Sequence, residues 1–411
     1  MLNKIANHLY EYTLSDDSYW KSAGVNIELP LGKKLFGCSA CQNGFYRGRN
    51  YDWNFVESDL CVIHTTKTKL RKHASVGVAD LSFVAMDKDG KYDFSKLQEE
   101  KIPFVTVDGI NDAGVCIQVN VIPYGEHFTS EIKSYYRTPD PSDDLSSAAL
   151  VRYILDFADS VEDAIRIIKS KDIDPTYKGV EEFHWMISGP TSDKDSTIKT
   201  VVVEFFPKKN EKCVKITEKF VENKPIMTNF NVFNFVNNYD KVNDKRLLTG
   251  LGMGYERWQI LKENFNQGDS VMGMFDLMKK VWYSKMYDLY QDRFWYSEYA
   301  LVKLCKYYKN KEELKKFVDD KMGKGSYEKL MKEYGDIYYI PELWGEEGPI
   351  NGDLTKTGVL APAVKASEEL YKVQDKTGKL WITIETSIYD LKNKTLHLSV
   401  RESQDLYEFK I

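Results

Sequence analysis

GCSACQNGFYRGRNYDW, residues 37–53, is the stretch that decides the fold of this 411-residue chain. Two short runs of strand-forming residues flank Asn43-Gly44, and this dipeptide predicts a β-hairpin. If Asn43 and Gly44 form a two-residue turn, Cys38 lies directly opposite Arg49, with the ~5 Å separation of facing residues. The sequence therefore predicts a hairpin in which a guanidinium lies beside a thiol.

Such a hairpin suits a nucleophile that begins a mature chain, exposed by cutting the Gly37–Cys38 bond. A fixed positive charge lowers a thiol pKa, so Arg49 is expected to increase the thiolate fraction of Cys38. A free α-amine has a pKa of about 7.7–8.0 and can take the proton from its own thiol. Asp52 is expected within reach of that amine, and Gly37 presents an unhindered carbonyl. Residues 1–37 are thus interpreted as a removable leader.

Outside this hairpin, strands come in blocks and helices come in blocks. That order favours an α+β architecture of antiparallel sheets covered by helices. No repeat or low-complexity linker divides the chain, so residues 38–411 are interpreted as one catalytic domain. Strands are predicted within 60–68, 73–87, 104–124, 183–207, 213–230 and 380–400, and helices within 3–14, 144–173 and 255–335, with a capping box at Ser160 and Asp163 and turns at 87–90 and 391–394.

Composition excludes several classes of protein. The net charge of −5 comes without a basic stripe, so nucleic acid is not an expected partner. The N-terminal residues lack the apolar region of a secretory signal, and no apolar run is long enough to span a membrane. Six unevenly spaced cysteines do not form a disulfide framework. We expect a cytoplasmic protein with reduced thiols.

The segment GCSACQNGFYRGRNYDW resembles the nucleophile hairpin of the choloylglycine hydrolase family, which includes bile salt hydrolase and penicillin V acylase. Gly48-Arg49-Asn50-Tyr51-Asp52 matches the family pattern G-R-N-x-D. The resemblance implies a four-layer αββα sandwich of two mostly antiparallel sheets, the fold of N-terminal-nucleophile (Ntn) hydrolases, with Cys38 at the start of a central strand. It also implies that Arg49 assists the thiol and that Asp52 holds the new N-terminus.

Three further segments match the family in the same order along the chain. VDGINDAGVCIQVNV carries Asn120, whose backbone N–H would form part of the oxyanion hole, and KPIMTNF carries Asn229, whose side chain would supply the other donor. GLGMGYERW carries Arg257, an expected active-site arginine, although Glu256 replaces the usual serine. The resemblance covers most of 37–260 and the C-terminal hairpin. The acyltransferase and ceramidase branches of the family likewise have a leader before the nucleophile.

Together these features predict an amidohydrolase that cleaves a linear carbon–nitrogen bond. The resemblance implies a small-molecule substrate with an apolar acyl group, such as a bile salt, penicillin V or an N-acyl amine, and no metal or organic cofactor. Acyl transfer to an amine is an alternative outcome of the same acyl-enzyme. The sequence leaves a homo-oligomer open.

Other interpretations of the same residues are weaker. A zinc site of Cys38, Cys41, Cys61 and His64 has suitable spacing, but i and i+3 in a strand point to opposite faces. Cys41 as the nucleophile would face Tyr46 instead of an arginine, so a buried apolar role is favoured for it. His184 is interpreted as a core histidine and Arg152 as a buried charge with a structural partner.

Overall fold

The structure is a computed structural model that describes most of the predicted strands and the first part of the helical region predicted over 255–335. The described residues are 2–15, 20, 36–53, 58–85, 92–122, 144–174, 176–177, 181–208, 211–241, 245, 254–285 and 382–411, with isolated positions between 312 and 328. The turn predicted at 87–90 and the segments 286–311 and 340–364 lie outside them.

Eighteen strands form the frame of the described chain. Numbered in chain order they are β1 (Leu2–Ala6), β2 (Leu9–Leu14), β3 (Phe36–Asn43), β4 (Tyr46–Trp53), β5 (Leu60–Thr65), β6 (Ser75–Asp80), β7 (Thr106–Asn111), β8 (Cys116–Ile122), β9 (Asp144–Ser146), β10 (Asp172–Asp174), β11 (Thr176–Tyr177), β12 (Glu181–Ser192), β13 (Asp195–Lys208), β14 (Glu211–Thr217), β15 (Ile226–Met227), β16 (Ile382–Asp390), β17 (Thr395–Val400) and β18 (Tyr407–Lys410).

Most of these strands belong to two sheets. Sheet 1 has ten strands in the order β1-β2-β5-β6-β7-β8-β12-β13-β14, with β11 beside β12. Sheet 2 has six strands in the order β15-β3-β4-β16-β17-β18. Within them every pairing is antiparallel except that of β2 with β5. The prediction of mostly antiparallel sheets is confirmed.

Helices cover the outer face of each sheet. They are α1 (Ser147–Phe157), α2 (Val161–Ser170), α3 (Val232–Asn238), α4 (Tyr255–Glu263) and α5 (Val271–Lys279). A Cβ built on Gly109 of β7 would lie 2.6 Å from Leu155 of α1, so this glycine lets α1 approach sheet 1 closely. A Cβ on Gly48 of β4 would lie 2.6 Å from Met278 of α5.

The faces opposite these glycines meet each other. Arg47 of β4 crosses from sheet 2 to sheet 1, where its guanidinium donates to Met186 O at 2.7 Å, Cys116 O at 2.8 Å and Gln118 Oε1 at 3.1 Å. Because Arg47 and Gly48 point to opposite sides of β4, the second sheet has a helix on one side and the first sheet on the other. The predicted αββα layering is confirmed.

The N-terminal segment differs from its prediction. Residues 3–14, expected as a short helix, form the β1–β2 hairpin instead. His8 turns the chain with a φ of 60°. Leu9 and Leu14 are buried, and β2 pairs with β5, so tertiary pairing decides the conformation of a short segment whose local preference is weak. The β1–β2 segment of the expected leader is therefore part of sheet 1.

Local signals elsewhere were predicted correctly. Ser160 Oγ accepts from Asp163 N at 3.2 Å and starts α2, while the Asp163 carboxylate accepts from the backbone of Asp159. Residues 391–394 form the turn between β16 and β17. Arg152 is buried and pairs with Asp156 at 2.7 Å, which is the structural role expected for it.

Candidate functional site

Cys38 lies on β3 in the middle of the molecule, and its side chain is fully buried. Its direct partner on β4 is Tyr51, and Arg49 pairs with Ala40. The predicted pairing of Cys38 with Arg49 is therefore wrong. Asn43 pairs with Tyr46, so the two turn residues are Gly44, with a φ of 57°, and Phe45.

The corrected register still leaves Arg49 on the same face as Cys38. A shift of two residues preserves the face to which each side chain points, so Arg49 becomes a diagonal neighbour of the thiol, at a Cα separation of about 7–8 Å. Its guanidinium lies over the ring of Tyr51, 4.8 Å from the centroid. The face shared by Cys38, Arg49 and Tyr51 points towards sheet 1, because Arg49 Nη2 donates to Val119 O of β8 at 3.2 Å.

Three of the other predicted residues surround the backbone of Cys38. Its N–H donates to Asn229 Oδ1 at 2.6 Å, and its carbonyl accepts from Arg257 Nη1 at 2.5 Å. Arg257 also donates to Asn229 Oδ1 at 2.5 Å and lies 3.3 Å from Asp52 Oδ2. The Asp52 carboxylate accepts a further hydrogen bond from Thr383 Oγ1 at 2.6 Å. Both peptide groups of Cys38 are thus held by buried side chains.

Asn120 lies between two contacts made by these residues. Arg49 binds the carbonyl of Val119, and Asn229 Nδ2 donates to the carbonyl of Val121 at 2.6 Å. The Asn120 side chain accepts from Gln118, and its Nδ2 is buried without a hydrogen-bond partner among the described residues. The structure therefore brings all six predicted site residues close to Cys38. Arg49 and Asn120 lie on the side of β3 and β4 that faces sheet 1, whereas the Asp52 side chain points to the opposite side of β4.

The charge of Arg49 is not isolated. Its Nη1 lies 2.9 Å from Glu385 Oε2 and 3.3 Å from Asp108 Oδ2, and all three groups are buried. Tyr389 donates to the other oxygen of Asp108 at 2.6 Å. Burial and the neighbouring Asp108 carboxylate raise the pKa of Glu385 well above its usual range. The raised pKa favours the neutral form of Glu385, and this form neutralises Arg49 less than an ionised carboxylate would.

The thiol of Cys38 is protonated at neutral pH in the intact chain. Burial raises its pKa to about 11, and the opposing effects of Arg49 and Arg257 do not compensate. Arg49 lowers the pKa of the thiol, as expected, but the opposite effect of burial is larger in the uncut chain. Removing the thiolate from water here costs more free energy than its attraction to the partly neutralised Arg49 recovers. A proton acceptor adjacent to the sulfur would be needed for reaction.

Asp52 is placed against the residue that precedes Cys38. It pairs with Gly37 across the hairpin, and a Cβ on Gly37 would lie 3.0 Å from Asp52 Oδ2. Burial raises the pKa of Asp52 to about 7, although Arg257 and Thr383 act in the opposite direction. A cationic amine at residue 38 would be a suitable partner for this carboxylate.

A second buried polar pair supports this region. His184 lies directly opposite Asn120 on β12, and its Nδ1 is 3.1 Å from Glu204 Oε1. Glu204 also accepts from the backbone N–H groups of Val232 and Phe233 at the start of α3, three residues after Asn229. The interpretation of His184 as a core histidine holds for Nδ1, whereas its Nε2 has no partner within the described chain.

Sequence reasoning missed the acidic and hydroxyl partners of the site. In ITIETSIYD, strand alternation places Glu385, Ser387 and Tyr389 on one face of an otherwise apolar strand. A carboxylate on the inward face of a buried strand is a signal that could have been used. Asp108 and Glu204 carried the same signal in VDGIN and VVVEF.

The zinc interpretation does not fit the geometry. Cys41 points away from Cys38, and its Sγ lies 3.4 Å from Met274 Sδ and 3.7 Å from Met278 Sδ, which is the buried apolar role expected for it. Cys61 and His64 are in sheet 1, and His64 is 2.9 Å from Glu11. The described residues contain no cluster of three or more potential metal ligands. Cys38, Cys41, Cys61 and Cys116 are free thiols.

Comparisons with known proteins add little to this geometry. No family model and no curated protein matches the chain. It resembles a solved structure of penicillin V acylase from Agrobacterium tumefaciens at 14% identity and a TM-score of 0.37, covering 91% of this chain and 86% of that one. It also resembles two variants of the conjugated bile acid hydrolase from Clostridium perfringens, at 15% and 14% identity. Both comparisons have a TM-score of 0.39 and cover 91% of this chain and 92% of the other. At these TM-scores the resemblances carry no argument about function. Among the helices of the described residues, none has the length and apolar character to cross a bilayer.

Proposed function

We propose that the chain is a cysteine amidohydrolase that cuts its own Gly37–Cys38 bond and then hydrolyses linear amides with an apolar acyl group. The observation that carries this proposal is the arrangement around the Cys38 backbone. Asn229 binds its N–H, Arg257 binds its carbonyl, and the Asp52 carboxylate lies beside Gly37. Two buried polar side chains from distant segments thus bind the peptide groups of Cys38, and a third binds one of these two, Arg257.

The proposed self-cleavage is an acyl shift from nitrogen to sulfur. Sγ of Cys38 attacks the carbonyl carbon of Gly37, the carbon–nitrogen bond breaks, and the thiol proton ends on the nitrogen of Cys38. Water then hydrolyses the thioester, which releases the Gly37 carboxylate and restores the thiol. The amide nitrogen of residue 38 has become an α-amine, and Asp52 is close enough to Gly37 to bind it as an ammonium.

In turnover, the α-amine supplies the proton acceptor that the buried thiol lacks in the intact chain. It takes the thiol proton, the thiolate attacks the substrate carbonyl carbon, and the resulting ammonium protonates the departing amine nitrogen. Water activated by the same amine hydrolyses the thioester and releases the carboxylic acid. Arg49 keeps positive charge on the face of the hairpin that carries the sulfur.

The tetrahedral oxyanion is assigned to the side-chain amide of Asn229 and the backbone N–H of Asn120. These residues adjoin each other because Asn229 Nδ2 donates to Val121, the neighbour of Asn120. Removing one such donor typically lowers kcat about 10²–10³-fold. Asn229→Ala is therefore expected to lose activity by that factor, whereas Asn237→Ala, an exposed asparagine of α3, should retain it.

Intact mass of the purified protein tests the proposed nucleophile. The wild type should yield a chain that begins at Cys38, and Cys38→Ala should remain uncut. Cys41→Ala is the matched control, because Cys41 is equally buried three residues further along the same strand and should allow cleavage. An uncut wild type, or a mature chain beginning at residue 42 or later, would exclude Cys38 as proposed.

Substrate assays on the same three proteins test the reaction. Penicillin V, conjugated bile salts and N-acyl amines should be screened for release of the amine. The wild type and Cys41→Ala should cleave a common substrate that Cys38→Ala does not. Adding a second amine distinguishes hydrolysis from acyl transfer, because transfer would form a new amide at the expense of the free acid.

A further inference from the structure

The N-terminal hairpin is integrated into sheet 1 through its backbone. β2 pairs in parallel with β5 over six positions, from Leu9 opposite Leu60 to Leu14 opposite Thr65. Just before this ladder, the N–H of Leu60 donates to the carbonyl of His8 at 3.0 Å. At the other end, Arg71 Nη2 donates to the carbonyl of Leu14 at 2.9 Å. Hydrogen bonds from the rest of the chain therefore hold the whole length of β2.

Side chains of the same segment enter the main core. Leu9 is fully buried and Leu14 nearly so, and both belong to the apolar cluster of sheet 1. His8 Nδ1 lies 2.8 Å from Asp59 Oδ1. Further along, Trp20 donates from Nε1 to Asp156 at 2.9 Å and packs edge-on against Tyr153. These contacts are as specific as those between other strands of the domain.

Sheet 1 would be incomplete without this hairpin. β5 would become the edge strand, although Leu60, Cys61, Val62 and Ile63 are buried on both of its faces. Soluble proteins protect sheet edges with charge, bulges or cover, and a bare apolar edge strand promotes aggregation. In this chain, β1 and β2 cover the edge of β5.

None of these contacts involves residues 37 or 38, which lie in sheet 2. Cutting the bond between them would remove only the covalent connection of the hairpin to the domain. We propose that residues 2–15 and Trp20 stay bound after cleavage, so that the mature enzyme consists of two chains, 1–37 and 38–411, joined without a covalent bond. This rests on the proposed cleavage and replaces the expectation of a removable leader.

Size-exclusion chromatography in native buffer, followed by denaturing mass spectrometry of the main peak, tests the proposal. We expect one peak that contains polypeptides with the masses of 1–37 and 38–411 in equal amounts. A peak that contains only 38–411 would overturn the two-chain enzyme. A single uncut polypeptide would instead refute the self-cleavage, and a second arm then decides whether the hairpin is retained.

The second arm makes the cut without Cys38. A recognition sequence for a specific protease replaces residues 26–31 in the Cys38→Ala variant, and the protein is cut and run again on the native column. The N-terminal fragment should elute with the remainder of the chain. Its appearance as a separate small peptide would show that the hairpin is not held by sheet 1.

Two matched truncations test whether the buried contacts retain the fragment. Leu9→Ala removes a fully buried side chain of β2, and Ile5→Ala removes a side chain of β1 that is 37% exposed. In the cut protein, Leu9→Ala should release the fragment at a lower urea concentration than Ile5→Ala does. Equal release in the two variants would contradict the role of core packing, and the unsubstituted cut protein decides retention if Leu9→Ala does not fold.

Discussion

At the scale of single residues, the site depends on buried charges whose partners are far apart in sequence. Sequence motifs located Cys38, Arg49 and Asp52, because each lies in one short hairpin. They could not reveal that Arg49 meets Asp108 and Glu385, which are 59 and 336 positions away. Such partners are determined by the stacking of two sheets, and no local pattern encodes it.

The two acids around Arg49 should respond differently to neutral substitution. Glu385→Gln resembles the neutral acid that the raised pKa of Glu385 favours, so it should lower the free energy of unfolding by about 1 kcal/mol. Asp108→Asn leaves the buried Arg49 without its charged partner and should cost about 3–5 kcal/mol. Urea unfolding of both variants in the Cys38→Ala background measures this. A larger loss of unfolding free energy in Glu385→Gln than in Asp108→Asn would show that Glu385 is the charged partner of Arg49.

Asp52 should make stability decrease as pH rises. In the folded chain it keeps its proton up to about pH 7, whereas an unfolded aspartate releases its proton near pH 3.9. Between these values the folded state binds more protons, so the free energy of unfolding falls with increasing pH, by about 1.4 kcal/mol per unit of pKa difference. This loss is absent below about pH 4 and complete above about pH 7.

Urea unfolding at pH 5 and pH 7.5, in the Cys38→Ala background, checks this expectation. Asp52→Asn should flatten the decrease seen between the two pH values. The exposed turn residue Asp193 offers a control, since Asp193→Asn should leave the decrease unchanged. Equal pH dependence in all three proteins would show that Asp52 ionises normally.

At the scale of elements, turn chemistry explains the error in the hairpin register. Asn43-Gly44 favours a turn with positive φ at both central residues, but here only Gly44 has one and Phe45 takes the second position. Both turns have two residues, so the alternation of side chains is the same and sequence alone does not choose between them. Cys38 and Arg49 still share one face of the hairpin because the predicted register was wrong by two positions, and an even shift preserves the face.

The start of α3 provides a prediction at this scale. Glu204 binds two backbone N–H groups of this helix and His184. Glu204→Ala would leave these buried groups unpaired, so it should lower the free energy of unfolding by about 2–5 kcal/mol and displace Asn229. We therefore expect lower kcat in the fraction that folds. Asn231→Ala, which removes only the helix cap, should cost about 1 kcal/mol.

Thermal unfolding and steady-state kinetics of the two variants test this link. A loss of stability without a loss of kcat in Glu204→Ala would separate α3 from the position of Asn229. Strand alternation could have marked Glu204 as an inward-facing carboxylate, but no local motif predicts that it binds helix N–H groups 28 and 29 positions away.

At the scale of the whole molecule, the order of strands and helices predicted antiparallel sheets covered by helices, and this is the arrangement found. The stacking of the two sheets on each other was implied by the family resemblance and not by the order of elements. The N-terminal hairpin escaped prediction because its partner strand, β5, follows about fifty residues later and pairs in parallel. Local propensity carries no information about such a partner.

Arg47 joins the two sheets and should matter for stability more than for chemistry. Arg47→Met would leave the carbonyls of Cys116 and Met186 without their donor, at a cost of about 2–5 kcal/mol. Arg166→Met is the control, because Arg166 is 77% exposed and should change stability by less than about 0.5 kcal/mol. Urea unfolding compares them, and equal losses would contradict the role of Arg47 between the sheets.

The contact between Gly37 and Asp52 gives the proposed maturation a steric filter of its own. A Cβ at position 37 would lie 3.0 Å from the buried Asp52 carboxylate, a tight contact, so the first, internal reaction favours glycine as its acyl residue. A substrate from solution arrives after this residue has been detached, and its acyl group is not bound by that restriction. The thiol of Cys38 would then accept a narrow range of acyl groups once, during self-cleavage, and a broader range of acyl groups at every later turnover.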